Sequence, residues 1–203
     1  MAVTHAPELE EDTRVQGLVA SKTPFVANAF VIVGPPDAVA GVAGGRDAVE
    51  AMRRISGSRR PFVSRADGSG THHRERALWA RAGVTADAPF IIRAGAGMAE
   101  TLRLASARAA FTLSDRATFL RLAAELELTI VFEGNGDLRN VYSVLVPAGR
   151  SGDTQGATEL VRFLVSPECR TLVDEFRPTG ETLFVTLETG GAGRPAALVR
   201  MMT

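Results

Sequence analysis

The sequence predicts an α/β protein. Short apolar, β-branched runs alternate with amphipathic stretches of helical period, and glycine-rich turns stand where several of those runs feed a helix. A third observation is bulk. A chain of 203 residues with 45% hydrophobic content can bury one large core or two small ones, which excludes a disordered tail or a coiled coil.

Taken in order, Ala2 to Thr4 reads as the end of a strand, and Pro7 opens an acidic helix over Glu8 to Val15, whose Glu8, Glu10 and Glu11 suit the positive end of the helix dipole. Phe30-Val31-Ile32-Val33, closed by Gly34-Pro35-Pro36, is a buried strand. A glycine-rich turn, Gly41 to Gly45, leads to a helix from Asp47 to Ile55 with Val49, Met52 and Ile55 on one face. Pro61-Phe62-Val63 is a short strand followed by a polar loop, Ser64 to Gly70. The next helix runs to Ala82, with Ser69 as N-cap and Gly83 as the residue past its end.

Phe90-Ile91-Ile92 is a further strand. It feeds Gly95-Ala96-Gly97 and a helix from Met98 to Ala109. Phe111 to Leu113 is a strand, and Ser114 or Asp115 caps a helix reaching Leu126. Leu128 to Phe132 and Tyr142 to Val146 are strands. Two helices close the pattern, Gln155 to Val165 and Pro167 to Phe176, the second opened by Ser166 as N-cap and Pro167 as first helical residue. Thr189 to Thr203 has no clear period and reads as a loose tail. No internal repeat or low-complexity block is present.

Composition narrows the partners. The formal charge is zero, from 23 basic and 23 acidic residues. This speaks against nucleic acid and against an anionic membrane surface, both of which need a concentrated excess of cations. One cysteine, Cys169, cannot form a disulfide within the chain, so the redox compartment stays open. No apolar run reaches the roughly 18 residues of a membrane helix, and Met1 to Arg14 is polar and acidic, unlike a secretory signal.

The segment Ser64-Arg65-Ala66-Asp67-Gly68-Ser69-Gly70-Thr71-His72 stands where a strand feeds a helix. There the first helical turn presents unpaired amides and the positive end of the dipole. Ser69 and Thr71 add hydroxyls, Gly68 and Gly70 let a ligand approach the backbone, and Arg65 supplies a planar fork suited to an oxyanion. Together these are the ingredients of an anion cradle. The alternative is that Ser69 only caps a helix while Arg65 pairs with Asp67 at the surface, and spacing alone weighs the two evenly. Gly95-Ala96-Gly97-Met98 repeats the strand-to-helix theme, which makes Gly97 and Met98 secondary candidates. Glu100 occupies the place of the last glycine of a dinucleotide fingerprint, so neither a nicotinamide nor a flavin is expected.

Catalysis is not expected. A nucleophile elbow around Ser69 would need glycine at 67, where Asp67 stands. The three histidines, His5, His72 and His73, do not have the spacing of a metal site. Cys169 has no evident histidine partner and reads as a structural thiol. Asp115-Arg116 reads as a brace of a cleft wall.

In order along the chain, Val3-Thr4-His5-Ala6-Pro7, Asn28 to Pro35, Phe62 to His72, Gly95 to Met98, Ala110 to Arg116 and Phe163 to Glu168 together resemble the substrate-binding component of tungstate and molybdate ABC importers. The resemblance runs from about residue 2 to about 187, and the ordered series is far more specific than any one piece. It implies a periplasmic-binding-protein-like fold of type II, with two lobes and two hinge crossings. The lobes divide as 1–34 with 141–203 for the first, and 35–140 for the second, with Phe30 to Val33 and Tyr142 to Val146 as the crossings. It implies a tetrahedral oxyanion, tungstate or molybdate, held without its water between the lobes, and no cofactor. Arg65 and Thr71 match the family's ligand-binding positions, with Ser64 and Ser69 in support and Gly70 beside them.

Family members begin with a signal peptide, then a strand with a Thr/Ser-rich loop, a helix and a second strand ending in a Gly-Thr-Gly-type loop. None of these is found here, so the first lobe is expected to be incomplete and the chain poorly packed by itself. A start placed too far downstream is the preferred account, ahead of a trimmed fragment or a degenerate copy. Ala66 also replaces a usual glycine, and Asn135 to Asn140 lacks the usual proline. The implied function is capture of the oxyanion for a membrane permease and its ATPase, as a monomer, in the periplasm or at the cell surface. The alternatives are a cytoplasmic ligand-sensing domain of the same fold, the location that the absent signal peptide implies if the start is genuine, and a truncated remnant that does not bind.

Overall fold

In a computed structural model of the chain, which describes residues 1–134, 136–149 and 154–187, one long strand organises everything else. Strand β1 (Ala2–Thr4) and helix α1 (Pro7–Val15) lead into β2 (Val19–Gly34), 16 residues long. Its first part pairs antiparallel with β7 (Arg139–Pro147), from Val19 opposite Pro147 to Ala29 opposite Arg139. β1 lies on the outer side of β7, and the two-residue β8 (Val185–Thr186) pairs with Val26 and Ala27. From Phe30 onward the same strand changes partners. It pairs antiparallel with β5 (Thr112–Asp115) and, from Ile32, with β6 (Thr129–Phe132).

The second half is built on that change. β3 (Phe62–Ser64) runs parallel to β4 (Ile91–Arg93), and a parallel bridge from Phe62 to Phe111 ties β3 to the start of β5. The Val63 amide donates to the Phe111 carbonyl at 2.8 Å, and the Phe111 amide to that of Pro61 at 3.0 Å. Side chains alternate across this sheet, as the pleat requires. Phe30, Ile32 and Phe62 face one core with α2 (Val39–Val42), α3 (Ala48–Gly57) and α4 (Gly70–Ala82). Val31, Val33 and Val63 face the other, with α5 (Met98–Ala107) and α6 (Arg116–Leu122). The result is a three-layer α/β/α arrangement. Each fully buried Phe, Ile, Leu or Val contributes roughly 1.5–3 kcal/mol to it.

The helix ends follow local chemistry. Asp47, Ser69 and Asp115 cap α3, α4 and α6, each accepting the amide three residues on, and Gly83 closes α4 at φ 79°. Helices α7 (Thr154–Leu164) and α8 (Pro167–Glu175) join the first half, with Ser166 capping α8 and Pro167 in its first turn. Among the described residues, the large apolar side chains that stay exposed are Met1, Val3, Leu9, Val15, Leu18, Leu160, Phe163, Leu172 and Phe176, all outside the three-layer half.

Several boundaries differ from expectation. The strand expected at Phe30 to Val33 begins eleven residues earlier, because Ser21-Lys22-Thr23-Pro24 is strand in spite of its polarity. The ladder tolerates Pro24 at a register shift between Pro24 and Val26. Lys22 is held by Glu10 of α1, a buried carboxylate 2.6 Å away that also accepts the Ala6 amide at 3.1 Å. Passage between the halves falls inside β2, at Ala29–Phe30, and at the start of β7. Phe30 to Val33 therefore lies within the three-layer core and Tyr142 to Val146 within the first sheet. The stretch between the stop at Gly34-Pro35-Pro36 and the helix at Asp47, where only a glycine-rich turn at Gly41 to Gly45 is expected, contains a 3-10 turn (Pro36–Ala38) and α2. The helix expected to reach Leu126 gives way to a 3-10 turn (Ala123–Glu125). The tail, 189–203, lies outside the described residues. No helix among the described residues is long and apolar enough to cross a membrane.

Candidate functional site

Parallel strands β3, β4 and β5 end at one edge of the sheet, the position where open α/β sheets hold ligands. Ser64-Arg65 leaves β3 there and Ala94 to Gly97 leaves β4, the two exits tied by the Ala94 amide donating to the Ser64 carbonyl at 2.9 Å. The Ser64 loop turns into α4 through two left-handed residues, Ala66 at φ 51° and Gly68 at φ 74°. Within it the Asp67 carboxylate accepts the Ser69 amide at 3.0 Å, His72 Nδ1 accepts the Gly68 amide at 3.0 Å, and Ser69 Oγ accepts the His72 amide at 3.3 Å. His73 donates its amide to the Ser69 carbonyl. The amides of Gly70 and Thr71 are left without an acceptor among the described residues.

Arg65 folds over this helix start. Its guanidinium pairs with Asp67 at 2.7 Å and reaches Thr71 Oγ1 at 3.4 Å. The side chain is only 18% exposed, and its Nε is buried without a hydrogen-bond partner among the described residues. The pairing expected of a mere surface ion pair is thus present, with both side chains half-buried against the helix N-terminus. Burial alone would raise the Asp67 carboxyl, but its hydrogen bonds from Ser69 and the charge of Arg65 outweigh that and hold it below its ordinary value. Burial, and then Arg76, lower the His72 imidazole. The neutral ring is the form whose Nδ1 accepts from Gly68.

Of the candidates named from the sequence, Ser64, Arg65, Ser69, Gly70 and Thr71 come together in this loop and first turn. Ser64 and Thr71 are buried and Ser69 serves as the cap. Gly97 and Met98 start α5 from the same sheet edge but on the opposite face. Gly97 caps α5 under the carboxylate of Glu100, which would stand 2.9 Å from a Cβ at that glycine, and the Met98 side chain points into the second core. His5 arrives from the first half, with a ring nitrogen 3.0 Å from Asn140 Oδ1 and its ring stacked at 4.9 Å on Tyr142. Asn140 in turn donates to Asn28 Oδ1 at 2.7 Å, which links β7 to β2. Arg116 bridges Glu133 at 3.0 Å and Glu181 at 2.6 Å, and so braces the three-layer half against the segment after α8.

Glu75 was not singled out in the sequence. It is 2% exposed, one turn past Thr71, and accepts the Arg65 amide at 3.2 Å as well as a hydrogen bond from Ser64. Its place was legible in principle, since Thr71, Glu75, Leu78 and Trp79 share the helical spacing of a buried stripe. Burial pushes its carboxyl up to about 7, against those two hydrogen bonds. Together with Ser64, His72, Arg76, Trp79 and Arg93 among others, Glu75 lines a pocket of about 300 Å³.

The arrangement can hold a small anion through directed donors. Two free amides, a hydroxyl and a guanidinium converge at one helix start, and such donors must replace the hydration that a small, doubly charged ion loses on capture.

A family model described as a PBP superfamily domain matches residues 1–168. Tungstate-binding protein TupA of Peptoclostridium acidaminophilum is 30% identical over 179 residues, which cover 86% of this chain and 63% of that protein. The chain therefore spans less than two thirds of that relative's length. Among solved structures, the tungstate-binding protein TupA from Desulfovibrio alaskensis G20 superposes with a TM-score of 0.78 at 29% identity, covering 91% of this chain and 77% of the other. The tungstate ABC transporter structure from Geobacter sulfurreducens gives a TM-score of 0.70 at 33% identity, over 82% and 72% of the two chains.

Proposed function

The chain belongs to the PBP superfamily, and from that premise we propose that it is the solute-binding component of an ABC importer that captures tungstate, or the similar molybdate, as a desolvated tetrahedral oxyanion. The observation that carries this reading is the helix start itself. Arg65 and Thr71 touch at 3.4 Å beside the amides of Gly70 and Thr71. Tungstate-binding proteins among the similar chains support the choice of ion. The ion sits against the first turn of α4, with the Arg65 fork and the Thr71 hydroxyl on it, while Ser69 and Asp67 hold the loop. Because the donors stand on a helix start and a strand end, selectivity follows oxyanion size and bond length. No covalent step is assigned. The protein's work is to bind, to close around the ion and to release it to a permease driven by an ATPase, which places it in the periplasm or at the cell surface.

Calorimetric titration of the protein with tungstate, molybdate, sulfate and phosphate tests the reading. Saturable one-to-one binding of tungstate, with sulfate and phosphate at least tenfold weaker, is expected. Equal affinity for all four, or none for any, overturns it.

A further inference from the structure

We infer that Glu75 is a positioning residue that couples oxyanion capture to proton uptake from solvent. This rests on the binding role proposed above for Arg65 and Thr71. Glu75 stands directly behind that site. Its carboxylate holds the Arg65 amide at 3.2 Å and the Ser64 hydroxyl, so it fixes the strand exit from which the guanidinium projects. Among the described residues no cation sets its ionisation, and the nearby Asp67 charge opposes its own. A buried carboxylate in that position favours its acid form. The pocket that Glu75 lines supplies a path to water.

The groups around it are few and identifiable. Asp67 faces it from the loop, and His72 and Arg76 line the pocket from α4, as does Arg93 from β4. An oxyanion at the start of α4 adds negative charge on the other side of the same backbone segment. The complex must therefore bind the Glu75 proton more tightly than the free protein does, and by reciprocity the protonated protein binds the anion more tightly. With the free carboxyl near 7, affinity is greatest below that pH and falls as pH rises through and above it. His72 is shifted downward, so its titration falls below this window.

The test is calorimetric titration with sodium tungstate from pH 6.5 to 9, on the wild type and on Glu75→Gln, in buffer pairs of different ionisation enthalpy. Gln keeps an acceptor for the Arg65 amide but cannot ionise. Wild-type affinity should fall about tenfold across the window, the effect of about one pKa unit, with net uptake peaking at about half a proton midway between the free and bound carboxyl values. Glu75→Gln should bind with less than twofold variation and no uptake attributable to position 75. A flat wild-type profile with no proton uptake, or an unaltered profile in Glu75→Gln, overturns the coupling while leaving capture intact. Failure of the wild type to bind tungstate at every pH overturns capture and the coupling together. If Glu75→Gln does not fold, the wild-type proton count decides alone, and a count of zero overturns the inference.

Discussion

The imidazole of His5 occupies the space that a methyl group on Gly70 would need. A Cβ built on Gly70 falls 2.6 Å from His5 Cε1 and 2.7 Å from Nδ1. The first residue of α4 thus meets, at closer than side-chain range, a residue just past the end of β1. That ring is itself held by Asn140 and Tyr142. Glycine at position 70 is required by this approach of the two halves.

Gly70→Ala is accordingly expected to destabilise the protein by about 1–3 kcal/mol, the usual effect of overpacking. A His5→Ala background should remove most of that effect, since the two positions share one contact. Thermal melts of the two single variants and the double variant measure the coupling. Equal loss in both backgrounds would separate His5 from Gly70.

Ala66 holds a left-handed backbone at φ 51°, which strains a residue bearing a Cβ by about 1–2 kcal/mol. Glycine relieves that strain but adds about 0.5–1 kcal/mol of backbone entropy to be lost on folding. Ala66→Gly should therefore raise the melting temperature by a few degrees and leave tungstate affinity within twofold. A lower melting temperature would contradict the strain.

Removal of the Arg65 guanidinium takes away the site's fixed positive charge. Arg65→Ala should weaken tungstate binding at least thirtyfold, the scale of a lost partner in a buried charged hydrogen bond. Arg65→Lys should recover only part of it, because an ammonium cannot reproduce the planar fork. Melting should change little, since the partner Asp67 keeps its hydrogen bond from Ser69. Calorimetry on both variants, with melts alongside, checks this, and unchanged affinity in Arg65→Ala would remove Arg65 from the site.

Glu75 also sets a stability profile. Its folded carboxyl, at about 7, lies above the ordinary 4.5 of the unfolded chain. A raised pKa means that the folded state binds more protons in this window, so the contribution is full below pH 4.5 and is lost as pH rises to about 7. The loss is on the order of 3 kcal/mol. Glu75→Gln should lack this component and melt above the wild type at pH 8 while the two converge near pH 4.5. Parallel pH profiles would exclude it.

Local chemistry made much of this molecule readable. The caps Ser69, Asp115 and Ser166, the stop at Gly83 and the apolar runs Phe30 to Val33 and Phe62-Val63 each state their structure within a few residues. So does the convergence of Arg65, Ser69, Gly70 and Thr71, because all of them lie on one strand exit and one helix turn. Other features were not local. Ser21 to Pro24 is strand because β7 supplies a ladder beside it and Glu10 neutralises Lys22, neither of which is visible in the segment's own polarity.

By itself, then, the order of residues determined the α/β class, the helix ends and the loop that presents the proposed binding helix start. Only the tertiary structure decided which groups stand behind and across from that loop. Glu75 lost its solvent because α4 packs on the sheet. His5 reached Gly70 because β1 pairs with β7, and Met98 of α5 turned away because its helix covers the opposite face. Such proximities arise from packing between segments distant in sequence, where the free energy depends on burial and shape, and no short stretch of chain encodes them.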